Sequence, residues 1–303
     1  MDQQQSQHHE TPSSRNTYDK IYKLLLIIPI AFLLFSLVYL VNFNSQNGDI
    51  IYKDVSITGG TTLSIFDQNT DINDLKDSLK TEFPDITARV ISDFRTGQQQ
   101  GFILETRSSP EEIKPALESY LGYKLTQENS STEFTGATLS SGFYQQLRFA
   151  IILAFIFMAI VVFIIFRAIV PSGAVILSAF ADIIMTVAVV DLLGIQLSTA
   201  GIIAFLMLIG YSVDTDILLT TNLLRKKEGS LNERMLAAFK TGMTMTLTSI
   251  AAVAVSLFII YNLSENLRQI FTILLIGLFF DIFNTWFTNA SILKWYMEAK
   301  GLQ

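Results

Sequence analysis

Six runs of apolar side chains, each close to the length of a bilayer-spanning helix, leave this chain few ways to fold. A helix crossing the hydrocarbon core takes about 20 residues. The first run covers Tyr22 to Val41, and the others cover Phe149 to Phe166, Pro171 to Leu193, Thr199 to Thr221, Met243 to Tyr261 and Leu267 to Asn289. Phe149 to Phe166 contains no polar residue at all. Half of the chain is hydrophobic, only 16% is charged and the mean hydropathy is +0.42, whereas soluble domains carry about 25% charged residues. These values describe a multi-pass membrane protein and exclude a free globular enzyme. No small-residue cleavage site follows the first run, so it is expected to stay as a membrane helix and not to leave as a signal peptide.

Several chemistries are excluded by composition. Cysteine is absent, which removes disulfides, thiolate nucleophiles and thiolate metal sites. His8 and His9, the two histidines, sit in a polar tail, so no buried imidazole can hold a metal or relay a proton. A net charge of −6 and a pI near 5.0 argue against nucleic-acid binding, and no nucleotide-binding glycine motif is present. No cofactor or metal is expected. Proton chemistry inside the membrane falls to carboxylates.

Organisation follows from the polar segments. Residues 1–19 read as a disordered tail, 20–45 as the first membrane helix, 46–146 as a folded domain, 147–293 as helices two to six, and 294–303 as a second tail. Within the domain, Gly60 to Phe66 alternates as a strand, and Asp71 to Phe83 spaces Ile72, Leu75, Leu79 and Phe83 as a helix. Ile86 to Ile91 and Gly101 to Glu105 predict two further strands. Ser109-Pro110-Glu111-Glu112 starts a second helix, and Tyr123 to Gln127 is the expected fourth strand. The order β-α-β-β-α-β predicts a ferredoxin-like α+β sandwich. Ser230-Leu231-Asn232-Glu233 reads as a capping box opening a short amphipathic helix on the membrane surface.

Lys and Arg set the expected orientation. Arg15, Lys20, Lys23, Arg167, Arg225, Lys226, Lys227, Arg234, Lys240, Lys294 and Lys300 fall on one side, and the short loops opposite contain only Arg268. Both termini are therefore expected in the cytoplasm of a cell-membrane protein, with the domain outside. Trp286, Trp295 and Tyr296 are expected to form an interfacial belt, and the basic run Arg225-Lys226-Lys227 to favour anionic lipids.

Asp182, Asp214, Asp216 and Asp281 lie inside the apolar runs, where insertion scales put the cost of a central Asp at about 2.5–3.5 kcal/mol. Asp214 and Asp216 point about 200° apart on a helix, so they are expected to meet different surroundings. Gly277, Asp281, Asn284, Thr285 and Thr288 form one polar stripe, Ser178, Asp182 and Thr186 a second, and Lys240, Thr241, Thr244 and Thr248 a third. Each carboxylate has two readings: a packing group bonded to neighbouring hydroxyls and amides, or a proton carrier. For Asp214 the second is favoured, because Gly210, Tyr211, Ser212 and Thr215 beside it would admit water, with Lys240 as the moving cation.

The residues also carry a resemblance. Asp54-Val55-Ser56-Ile57-Thr58-Gly59-Gly60-Thr61 resembles the D-F-T-G-G-T opening motif of the SecD/SecF protein-export membrane components, part of the resistance-nodulation-division (RND) superfamily, and Phe134-Thr135-Gly136-Ala137 through Gly142 resembles the stretch leading into the second helix. Gly210-Tyr211-Ser212-Val213-Asp214-Thr215-Asp216-Ile217-Leu218-Leu219-Thr220-Thr221 is similar to the fourth-helix motif on the SecF side, in an archaeal form. The bacterial motif places its carboxylate opposite Thr215, whereas Asp214 matches the carboxylate of the sister subunit SecD in register. Lys240 stands where the family has an arginine linked to proton conduction, and Asp182 resembles an acidic position in the third helix. The resemblance implies an RND-type half bundle pairing with six SecD helices. It also implies an accessory role beside the Sec channel, in which the proton gradient assists export and the outer domain meets the translocating polypeptide.

Two other functions fit the composition. An RND-type half-transporter for small molecules or lipids would normally join both six-helix halves in one chain. An intramembrane aspartyl protease would need a carboxylate pair such as Asp182 and Asp214, but Tyr211-Ser212-Val213-Asp214 replaces the expected G-x-G-D pattern.

Overall fold

The computed structural model describes residues 22–93, 96–225, 229–261 and 264–301. The expected disordered tail, His8, His9, Lys226 and Lys227 lie outside the described residues. Among the described residues, six helices are long and apolar enough to cross a membrane. They are built on α1 (Ile27–Asn47), α5 (Ala137–Phe166), α6 (Ile169–Leu192), α7 (Thr199–Arg225), α8 (Leu231–Ile260), and a last span composed of α9 (Glu265–Phe283), a π-helical segment (Asn284–Asn289) and α10 (Ala290–Ala299). The central pair, α6 and α7, is buried over more than half of its spans, while α1, α5 and α8 turn most of their surface outward.

Between α1 and α5 the chain forms α2 (Val55–Thr58), β1 (Gly60–Ile65), α3 (Ile72–Leu79), β2 (Thr87–Ser92), β3 (Gln99–Thr106), α4 (Pro110–Leu121) and β4 (Ser130–Thr135). The sheet order is β2-β3-β1-β4 with every neighbour antiparallel, the ferredoxin-like arrangement that the element order predicts. Its core is Leu63 and Ile65 of β1, Phe102 and Leu104 of β3, Leu75 of α3, and Ile113 and Leu117 of α4, all buried together. Full burial of such side chains is worth about 1.5–3 kcal/mol each. Pro110 opens α4, Glu112 Oε2 accepts the Ser109 N–H at 3.2 Å, and Gly122 ends the helix in the left-handed region at φ 77°.

Four expectations are corrected. The fourth strand is Ser130–Thr135 and not Tyr123 to Gln127. A turn takes the earlier segment: the Thr126 N–H donates to Asn129 Oδ1 at 2.7 Å, and the Ser130 N–H to the Thr126 carbonyl at 2.9 Å. The capping box at Ser230 is real, with Glu233 Oε2 accepting the Ser230 N–H at 2.8 Å, but it opens the full 30-residue α8 and no separate surface helix. Within that helix Gly242 leaves room for the Trp286 ring; a Cβ there would stand 2.7 Å from Trp286 Cζ2. For the same reason Trp286 is interior, edge-on to Phe239 at 4.9 Å, and only Trp295 of the expected belt is well exposed. The membrane helices also overrun the expected bounds, since α5 already starts at Ala137 and α10 continues to Ala299.

The two motifs flanking the domain meet at its base. Asp54 caps α2 by accepting the Ser56 N–H at 2.7 Å. Gly59, at φ 83°, lies so close to the start of α5 that a Cβ would sit 2.5 Å from the Ala137 Cα, and Gly60 pairs with Thr135 of β4.

Candidate proton-relay site and domain joint

Three of the membrane carboxylates share one buried cluster. Asp182 (α6), Asp216 (α7) and Asp281 (α9) are each fully buried. Asp182 Oδ2 accepts the Ser212 hydroxyl of α7, and Asp182 Oδ1 accepts the Asn284 amide at 2.7 Å. Asp216 Oδ1 accepts the Asn289 amide at 2.7 Å and faces the Thr285 hydroxyl at 2.9 Å. That hydroxyl stands 3.3 Å from Asp281 Oδ1, so it lies between two carboxyl groups. The wide turns of the π-helical segment place Asn284, Thr285, Thr288 and Asn289 all in the interior. No Lys or Arg among the described residues donates to these three carboxyl groups, and Asp216 Oδ2 and Asp281 Oδ2 have no hydrogen-bond partner.

Asp214 lies elsewhere. Ser212, Thr215 and Asp216 turn inward, while Asp214 is exposed on the stripe of α7 that carries Gly210 and Tyr211. The small and hydroxyl neighbours expected around Asp214 are thus divided between two faces, and Asp182 and Asp214 are not brought together as a protease pair. Lys240, Thr241, Thr244 and Thr248 lie on the outer surface of α8, not inside the bundle. The hydroxyls are bonded back along their own helix, as with Thr244 to the Lys240 carbonyl at 2.8 Å. Neither Asp214 nor Lys240 has a side-chain hydrogen-bond partner among the described residues. Of the polar stripes, Ser178-Asp182-Thr186 is wholly buried, and Asp281-Asn284-Thr285-Thr288 joins it. Gly277 instead gives room to Leu208, whose Cδ2 would be 2.4 Å from a Cβ there. Sequence reasoning missed Asn289, one residue beyond the counted stripe and four after Thr285.

The domain is joined to the helices that carry these carboxylates. The Leu197 N–H, in the α6–α7 loop, donates to the Tyr52 carbonyl at 2.6 Å, and the Asp54 N–H returns to the Leu197 carbonyl at 3.0 Å. Ser56 Oγ accepts the Thr199 N–H at 3.1 Å and so caps α7 from the domain root. Asp191 at the end of α6 accepts the Tyr52 N–H at 3.4 Å. Beside it, Asp49 pairs with Lys53 at 2.6 Å and accepts the Tyr144 hydroxyl at 3.1 Å. Burial works to raise the Asp49 carboxyl, but the Lys53 ammonium, the Ile50 N–H and the Tyr144 hydroxyl outweigh it and hold the group below its ordinary value. Because the folded value is depressed, the contribution to stability is present above the ordinary carboxylate range and lost as pH falls through the depressed midpoint. Lys53→Gln should move the Asp49 midpoint upward, read by isotope-labelled aspartate NMR across an acid titration; an unmoved midpoint would remove Lys53 as the cause.

Comparison with known proteins agrees with this architecture. Residues 117–299 match the family described as protein export membrane protein SecD/SecF, C-terminal. The protein-export membrane protein SecF of Methanocaldococcus jannaschii is 41% identical over 286 residues, covering 92% of this chain and 96% of that protein. The SecF of Methanothermobacter thermautotrophicus is 38% identical over 93% of this chain and 95% of its own length. Among solved structures, SecDF of Thermus thermophilus, a translocon-associated membrane protein, superposes with a TM-score of 0.70 at 16% identity, over 92% of this chain and 38% of that one. A likeness at that identity concerns the fold alone.

Proposed function

The chain belongs to the SecD/SecF family of protein-export membrane proteins, and from that premise we propose that it works with SecD beside the Sec channel, using inward proton flow to assist polypeptide export. The observation that carries this reading is the exposed pair of α7 and α8. An ionised Asp214 facing lipid would cost about 2.5–3.5 kcal/mol, and Lys240 a similar amount. A second helix bundle laid over this face removes that cost and places both charges in a polar joint between two halves. Asp214 there is free to exchange partners as it gains and loses a proton, with Lys240 as the cation it meets. The Asp182, Asp216 and Asp281 cluster ties α6, α7 and α9 into one body through neutral donors.

Movement of that body reaches the domain through Leu197, Ser56 and Thr199. One unit charge crossing the membrane is worth about 2.3 kcal/mol per 100 mV, so a few protons suffice to bias such a swing. A protein of this kind has no need of catalysis, and the translocating polypeptide would meet the domain.

Arg167, Arg225, Arg234 and Lys294 gather at the end of the bundle away from the domain, which supports cytoplasmic termini and an outer domain at 46–146 in the cell membrane. The chain has no native cysteine, so single cysteines report sidedness cleanly. One at Lys124 should react with an impermeant maleimide in intact cells and one at Lys300 only after permeabilisation; the reverse pattern inverts the orientation. Co-purification from native membranes tests the function: SecD and the Sec channel should accompany the chain, and isolation as a lone half bundle would favour a small-molecule half-transporter.

A further inference from the structure

A cavity of about 620 Å³ opens at the joint between the domain and the bundle, away from the carboxylate cluster. Its upper wall is the edge strand β2, through Thr87 and Arg89, and its lower wall is the start of α9, through Arg268 and Thr272. Leu257 of α8 and Ile273 of α9 form an apolar floor. Arg89 is held by Glu105 of β3, and the Arg268 guanidinium lies 5.2 Å from the centre of the Tyr261 ring, so both cations are set in place by neighbours. Arg268 is also the one Lys or Arg in the short loops on the domain side, an exception to the charge bias that orients the helices.

We propose that this cavity holds the phosphodiester headgroup of a bilayer lipid, with the Arg89 and Arg268 guanidinium groups on the phosphate oxygens and an acyl chain running down along Leu257. Guanidinium forks match phosphate oxygens in geometry and charge, whereas the hydroxyls of Thr87 and Thr272 are already given to Glu105 Oε2 and the Arg268 carbonyl, so the two guanidinium groups carry the polar contact. A free phosphate shares that chemistry, but the floor distinguishes the two sources. Leu257 and Ile273 give an acyl chain an apolar surface that inorganic phosphate has no use for. The site is thus half ionic and half oily, as a lipid is, and the headgroup would sit between the domain's edge strand and the loops of the bundle.

The full chain, purified in detergent and exchanged against phosphatidylglycerol, diacylglycerol or inorganic phosphate, tests this by native mass spectrometry and thermal unfolding. Phosphatidylglycerol should be retained and should raise the unfolding midpoint, with diacylglycerol and phosphate doing neither. Arg268→Gln should lower retention roughly tenfold, the loss of a charge-assisted contact, while Lys80→Gln on the exposed domain surface leaves it unchanged. Leu257→Trp, which fills the floor and keeps both guanidinium groups, should lower retention as well and decides the matter if Arg268→Gln does not fold. Retention of phosphatidylglycerol at the parent level by Leu257→Trp, or by a folded Arg268→Gln, would overturn the site. Equal retention of diacylglycerol would reduce it to apolar contact, and displacement of lipid by equimolar phosphate would make it a free-anion site; either outcome rejects the proposal.

Discussion

Asp214→Asn should leave the chain folded and bound to SecD while abolishing the part of export that depends on the proton gradient. The substitution keeps the shape of the side chain and removes only its ability to titrate. The Asp214 side chain makes no hydrogen bond among the described residues, so none of these is lost. Export into inverted membrane vesicles, with and without an uncoupler, gives the measurement: the variant should run at the uncoupled rate in both conditions. A variant that retained the gradient-dependent increment would remove Asp214 from the proton path. Lys240→Met should reproduce the loss, since it deletes the cation that the carboxylate meets in the proposed joint.

Asp216→Leu should act through stability. Leucine removes the oxygen that receives the Asn289 amide and the Thr285 hydroxyl; the hydroxyl still has Asp281 Oδ1 at 3.3 Å, but the buried Asn289 amide is left unpartnered. Such a group costs about 1–3 kcal/mol, so a loss of about 2 kcal/mol is expected. Asp216→Asn, which keeps one acceptor oxygen, should lose far less. Thermal unfolding of the purified chain with SecD separates the two. If Asp216→Asn folds normally yet loses all gradient-dependent export, as Asp214→Asn is expected to do, then the carrier sits in the buried cluster and the exposed pair is a docking feature.

Those two substitutions contrast because the carboxylates, two residues apart, face different surroundings, and this much is legible in the sequence. Helical spacing separates Asp214 from Asp216 by about 200°. It does not say which of them is inside, because that depends on which faces the other five helices cover. The polar neighbours Ser212 and Thr215 favoured Asp214 as interior, yet they share the inward face with Asp216. The stripe on the last helix was counted only as far as Thr288, although Asn289, four residues after Thr285, continues the same face. Membrane spans were legible because hydrophobicity over about 20 residues is a local signal. The fourth strand was not: Ser130–Thr135 is an edge strand of mostly polar residues, and its position is set by pairing with distant Gly60–Ile65.

Infrared difference spectroscopy on the complex with SecD, in vesicles with the gradient applied and then collapsed, tests the proton path most directly. The account predicts a protonated-carboxyl band that changes between the two states, is absent from Asp214→Asn and persists in Asp216→Asn. A band that ignores the gradient, or one that survives in Asp214→Asn and disappears with Asp216→Asn, would contradict it.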